Sequence, residues 1–161
     1  MKGSERVPEL SHPWLHGVAA LLSLGGLADS IYLTVTHLTG ENVTCVASSG
    51  CSEVLRSAYA TVGKIPLGAF GALGYFAAFS LATLAAFGYA RARTLLTVVI
   101  AGMLATALWL LYVQAFVLHA FCDFCLLSAG FTFSLAALVA AGYLADRKHP
   151  IAVERAPLPE S

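Results

Sequence analysis

Long apolar runs broken by short polar stretches set the pattern of this chain. Four runs, Pro13–Thr36, Pro66–Ala90, Thr94–His119 and Phe121–Ala145, are long enough as helices to cross the membrane. At 1.5 Å per residue each covers a hydrocarbon core of about 30 Å. The first run is as long as the others and no small-residue cleavage pattern follows it, so it reads as a span rather than a leader. The expected fold is an all-α membrane protein, a four-transmembrane-helix bundle. Residues 1–12 and 146–161 read as polar cytoplasmic tails around a membrane domain at 13–145.

The polar breaks differ in length. Tyr89–Arg93 and Ala120 leave room only for tight helical hairpins, whereas the connection from about His37 to Ile65 is long, and long loops in compact folds usually carry function. Within it, Ser52–Tyr59 places Val54, Leu55, Ala58 and Tyr59 on one side and Glu53 and Arg56 on the other as an i,i+3 pair. This predicts a short amphipathic helix in the first outer loop, lying on the mouth of the bundle. Pro66 suits the first turn of the second span. Gly68, Gly71 and Gly74 follow at three-residue spacing, and inside an apolar helix they indicate close helix packing, not a nucleotide loop.

Composition agrees with this class. Hydrophobic residues make up 58% of the 161 positions and charged residues 11%, against about a quarter in soluble domains. The zero net charge is divided between two aqueous phases and does not suggest a nucleic-acid partner. With both termini in the cytoplasm, Lys2, Arg6, Arg91, Arg93, Arg147, Lys148 and Arg155 fall inside and only Arg56 and Lys64 outside. That orientation puts all four cysteines on the outer, oxidising face.

Cys122 and Cys125 form a C-x-x-C pair at the start of the fourth span, on one helical face and close enough to open and close a disulfide. The helix N-terminus favours thiolate there, and Asp123 opposes it. Cys122 lies at the water-facing end, positioned to meet the loop. Cys125 lies about 4.5 Å deeper along the axis, positioned to meet a lipid-soluble acceptor. Cys45 and Cys51 form the second pair, joined through a flexible Ser-Ser-Gly stretch, and Cys51 begins the loop helix.

Two inert disulfides or a tetrathiolate zinc site are the structural alternatives. A bridge within one helical turn, however, restrains almost nothing that the helix does not already restrain. Asp29 is the acidic residue well inside a span, and it reads as a proton carrier or as a packing hydrogen bond near Ser30. His37 and His119 read as solvated helix ends, and Gln114 as a packing hydrogen bond. Asn42-Val43-Thr44 fits a glycosylation acceptor but carries no weight.

Several elements occur in one order: Tyr32-Leu33-Thr34, Cys45-x5-Cys51, Cys51-Ser-x-Val continuing to Ser57, Ile65-Pro66-Leu67-Gly68, and Cys122-x-x-Cys125. Together they resemble the vitamin K epoxide reductase family in its bacterial single-domain form, from about His16 to Leu144. The resemblance implies a helix bundle around a quinone, ubiquinone or menaquinone. Electrons would pass from a thioredoxin-like partner to Cys45 and Cys51, then to Cys122 and Cys125, with Cys125 reacting with the quinone. It further implies that Ser57 caps the quinone pocket, with Leu55, Leu67 and Phe70 as apolar wall. Ala129 stands where the vertebrate enzymes carry a tyrosine, and Lys64 near their pocket asparagine, so epoxide chemistry does not transfer.

The function expected is therefore a membrane thiol:quinone oxidoreductase that supports disulfide-bond formation. It would sit in the bacterial cytoplasmic membrane among lipid, served by a separate periplasmic or extracytoplasmic thioredoxin-like oxidoreductase. An unrelated bacterial quinone reductase carries its C-x-x-C in the first outer loop, whereas here it lies in the second. The reading from another class is a thiol-based membrane transporter or metal-handling protein.

Overall fold

A computed structural model describes residues 13–40, 45 and 50–148. The terminal tails beyond these bounds, the Asn42-Val43-Thr44 motif and Ser48-Ser49 of the loop lie outside the described residues. Helix α1 spans Pro13–Thr39, α2 Cys51–Arg56, α3 Leu67–Ala86, α4 Ala90–Tyr112 and α5 Asp123–Lys148. A 3-10 turn at Ala58–Ala60 and two short strands, β1 (Thr61–Val62) and β2 (Ile65–Pro66), join α2 to α3. Segments Trp14–Thr39, Leu67–Ala86, Arg91–Leu118 and Asp123–Leu144 are long and apolar enough to cross a membrane. The protein is an all-α four-helix membrane bundle.

The ring of helices closes through α1 against α3 and α5, and through α4 against the same two. Small residues allow the approach. A Cβ at Gly68 would lie 2.8 Å from Thr34 Oγ1, and one at Gly71 3.0 Å from Ser30 Oγ, so two of the three α3 glycines seat α1 while Gly74 meets Met103 of α4. The inner core holds Tyr75, Ala78, Ala82, Leu96, Ile100 and Leu135. Large apolar side chains such as Leu21, Leu73, Phe76, Trp109 and Phe133 point outward, as a lipid-facing surface requires.

The loop departs from the expected single helix over Ser52–Tyr59. Helix α2 stops at Arg56 because Ser57 turns extended (φ −68°, ψ 156°), and both its hydroxyl (2.7 Å) and its N–H (3.2 Å) donate to the Val54 carbonyl. Ala58–Ala60 then forms the separate 3-10 turn. Pro66 is not in the first turn of α3 but precedes it, extended and paired with Thr61 in an antiparallel hairpin. Gly63, at φ +67°, takes the first position of the two-residue turn, where a positive φ suits the hairpin twist.

Helix α4 widens at its C-terminal end into a π-helical stretch, Val113–Leu118. It ends at His119, whose φ of 49° is left-handed, and the Ala120 N–H closes back on the Gln114 carbonyl at 3.2 Å. Four residues after Leu118 the chain has reversed to enter α5, and the Leu126 N–H donates to Cys122 O at 2.9 Å.

Candidate active site

Cys45 and Cys51 form a disulfide with their α-carbons 5.7 Å apart, and the Cys51 N–H donates to Cys45 Sγ at 3.1 Å. Cys122 and Cys125 are free thiols. The two pairs meet because the start of α2 is pressed onto the α4–α5 turn. Gly50 has no room for a Cβ, which would fall 2.7 Å from the Phe121 carbonyl oxygen and 2.9 Å from its nitrogen. This contact seats Cys51 and Val54 in one buried cluster with Ala120 and Cys122, and Cys45 and Cys125 pack at its edge.

Cys122, expected at the water-facing end of the fourth span, directly precedes α5 and has no exposed surface, since α2 lies over it. Its N–H would be unpaired at the helix start, and it donates instead to Gln114 Oε1 at 3.0 Å. Gln114 is itself buried in the π-helical stretch, where a widened turn alters which side chains face inward. The Cys122 thiol, just ahead of the last span, lies below its ordinary value, chiefly because the Cys125 thiol hydrogen-bonds to its sulfur. Burial opposes this, and hydrogen bonds from the Cys125 and Phe124 backbone add to it.

A cavity of about 390 Å³ opens inside the bundle, within the size range of small-molecule sites. Among the described residues, Cys125 is the cysteine that lines it, and Leu55, Ser57, Leu67 and Phe70 line the same space. His37, expected at a solvated helix end, is half-buried on this wall, whereas His119 is exposed. Lys64 is exposed at the hairpin turn and is not on the cavity wall, and Ala129 is buried on it.

The cavity is apolar except at a few positions, and several of these were not legible as site residues. Gln114 contributes at the end near Cys122. Deeper, the Tyr75 hydroxyl donates to the Ser128 carbonyl at 2.6 Å and lies 2.8 Å from Thr132 Oγ1 and 3.1 Å from Ser128 Oγ. Asp29 is nearly buried and accepts a hydrogen bond from Ser128, while its Oδ2 has no partner among the described residues. A tyrosine in mid-span and hydroxyls four residues apart on α5 were the available signals.

A comparison with known families matches residues 18–140 to the vitamin K epoxide reductase family, a stretch that contains all four cysteines and the cavity wall. The chain belongs to the vitamin K epoxide reductase family. As a member of it the protein is a membrane thiol–disulfide oxidoreductase, from a family that generally uses quinones and works with thioredoxin-like partners.

Proposed function

We propose that this vitamin K epoxide reductase relative carries electrons from an external thioredoxin-like dithiol to a quinone in the bundle cavity, and so supplies disulfide bonds outside the cytoplasm. The observation that carries this reading is the division of labour between the sulfurs. Cys125 alone of the described cysteines lines the cavity, while the bonded pair, Cys45 and Cys51, belongs to the loop above it.

A bound quinone would supply an acceptor for two electrons and two protons. The apolar cavity wall suits its ring, with Leu55, Leu67 and Phe70 as apolar contacts and Ser57 as a polar one. The protein's own steps are thiol–disulfide exchanges. A partner thiolate attacks Cys45, breaking the Cys45–Cys51 bond and releasing Cys51 thiolate, and the partner's second thiol then frees Cys45 as the partner becomes oxidised. Cys51 thiolate attacks Cys122 of an oxidised Cys122–Cys125 pair, and Cys125 leaves as a thiolate facing the cavity. Cys45 attacks Cys51, restoring the loop disulfide and releasing Cys122.

The reduced pair then gives up two electrons and two protons and closes its own disulfide. Asp29, which reaches the cavity wall through Ser128, is assigned as a proton relay for that step. The excess of Lys and Arg near the ends assigned to the cytoplasm supports an orientation with both termini inside and the cysteines outside. Bacterial cytoplasmic membrane suits this arrangement.

The test is quinone reduction by purified protein in lipid nanodiscs, with extraction and mass spectrometry to name the native quinone as ubiquinone or menaquinone. Cys125→Ala should abolish reduction of added quinone while a small dithiol still opens Cys45–Cys51. Full quinone turnover by Cys125→Ala would defeat the assignment.

A further inference from the structure

The deep polar end of the cavity contains more hydrogen-bond donors than its geometry uses. Tyr75 of α3 is almost wholly buried, with its ring laid on the α1 backbone at Gly26, where a methyl group would overlap it. The ring therefore has little freedom, and its hydroxyl is held at one place on the cavity wall beside Ser128 and Thr132 of α5.

The Ser128 carbonyl oxygen that accepts the Tyr75 proton is over-subscribed. It also accepts the Thr132 hydroxyl at 3.1 Å, and as a carbonyl inside α5 it faces the helical N–H four residues on. Two lone pairs thus meet three donors. If the Tyr75 O–H turned away, Ser128 O would remain satisfied, so this proton can be given to an acceptor in the cavity without leaving a buried carbonyl unpaired. The phenol oxygen would still have the Thr132 hydroxyl within reach as a donor, and a hydrogen bond accepted there strengthens the one given. Ser128 meanwhile donates to Asp29, which orients its hydroxyl away from that task.

Position along α5 supplies the second half of the argument. Ser128 lies three residues below Cys125 on the same cavity-lining face, about 4.5 Å along the axis at 1.5 Å per residue, close to the width of a six-membered ring. A ring lying against the Cys125 sulfur would direct an oxygen on its far edge toward the turn of α5 where the Tyr75 hydroxyl meets Ser128 and Thr132. The neighbouring Ala129 offers no side-chain donor there.

We infer that the Tyr75 hydroxyl is the hydrogen-bond donor that holds the deep carbonyl oxygen of the quinone, with Gly26, Ser128 and Thr132 as the positioning groups that present it. This rests on the reading that a quinone occupies the cavity. Tyr75→Phe keeps the ring against Gly26 and removes only the donor. In nanodiscs stripped of quinone, a short-chain ubiquinone should bind Tyr75→Phe roughly tenfold more weakly than wild type, the equivalent of about 1.4 kcal/mol. In difference infrared spectra of wild-type protein carrying isotope-labelled tyrosine, the tyrosine C–O band should shift when that quinone is added, and Tyr75→Phe should lose the shift.

Wild-type affinity in Tyr75→Phe, with the quinone carbonyl band unmoved, would overturn the inference. So would weaker binding accompanied by a quinone-insensitive tyrosine band in wild type, which would reduce Tyr75 to a packing residue. The wild-type spectrum decides the matter even if the variant does not fold. Absence of saturable quinone binding to wild type would overturn the cavity reading itself, and this inference with it.

Discussion

Gly50 and Phe121 touch backbone to backbone: the hydrogen that Gly50 carries in place of a side chain points at a carbonyl oxygen that a Cβ would approach to 2.7 Å. This contact joins the cysteine loop to the turn before Cys122. A methyl group there must displace backbone on both sides, because neither neighbour is the flexible end of a side chain.

Gly50→Ala should therefore lift the start of α2 from the α4–α5 turn. Electron transfer between the loop pair and the inner pair should slow by an order of magnitude or more, since thiol exchange requires contact. Opening of Cys45–Cys51 by a small dithiol should be spared. Alkylation of freshly generated thiols followed by mass spectrometry resolves the two pairs, and equal loss at both would refute a role specific to docking.

Gln114 supplies the acceptor for the otherwise orphaned Cys122 N–H inside a sealed site. Gln114→Leu should cost about 1–3 kcal/mol by leaving that donor unsatisfied. Gln114→Glu, which keeps an acceptor at the same length, should restore the N–H contact but place negative charge beside Cys122 and raise its thiol. Thermal unfolding and thiolate absorbance separate the two effects, and wild-type stability in Gln114→Leu would show that the bond is dispensable.

The Cys122 thiol lies below its ordinary value of 9.0 chiefly through the hydrogen bond from Cys125. A depressed folded-state value contributes stability that is complete above the unfolded value and is lost as pH falls through the folded one. Cys125→Ala should move the ultraviolet thiolate titration of Cys122 upward and flatten the rise of stability with pH below 9.0. Cys125→Ser, which retains a donor, should lie nearer wild type. An unchanged titration in both variants would remove Cys125 as the cause.

Asp29→Asn preserves shape and hydrogen-bonding capacity while removing the titratable group next to Ser128. Quinone reduction should slow by about 100-fold, the lower end of the usual range for general acid–base catalysis of about 10²–10⁴. Exchange at Cys45 and Cys51 should continue at the wild-type rate. Unimpaired quinone turnover across pH would leave Asp29 as a packing residue.

The amino-acid sequence alone determined the number and approximate extent of the spans, because a run of some twenty apolar residues has few other ways to satisfy its backbone in a membrane. It likewise placed Cys122 and Cys125 a turn apart and marked the Cys45–Cys51 loop, since those relations depend only on local spacing. The tertiary structure decided which side of each helix faces inward. These helices are apolar nearly all round, so periodicity does not separate lipid-facing from core-facing positions. That is why Tyr75 and Ser128, 53 residues apart, could not be paired in advance, nor Gln114 with the Cys122 N–H. The complete covering of Cys122 arises from α2 docking through Gly50, a contact set by backbone proximity between distant segments and not by any local pattern.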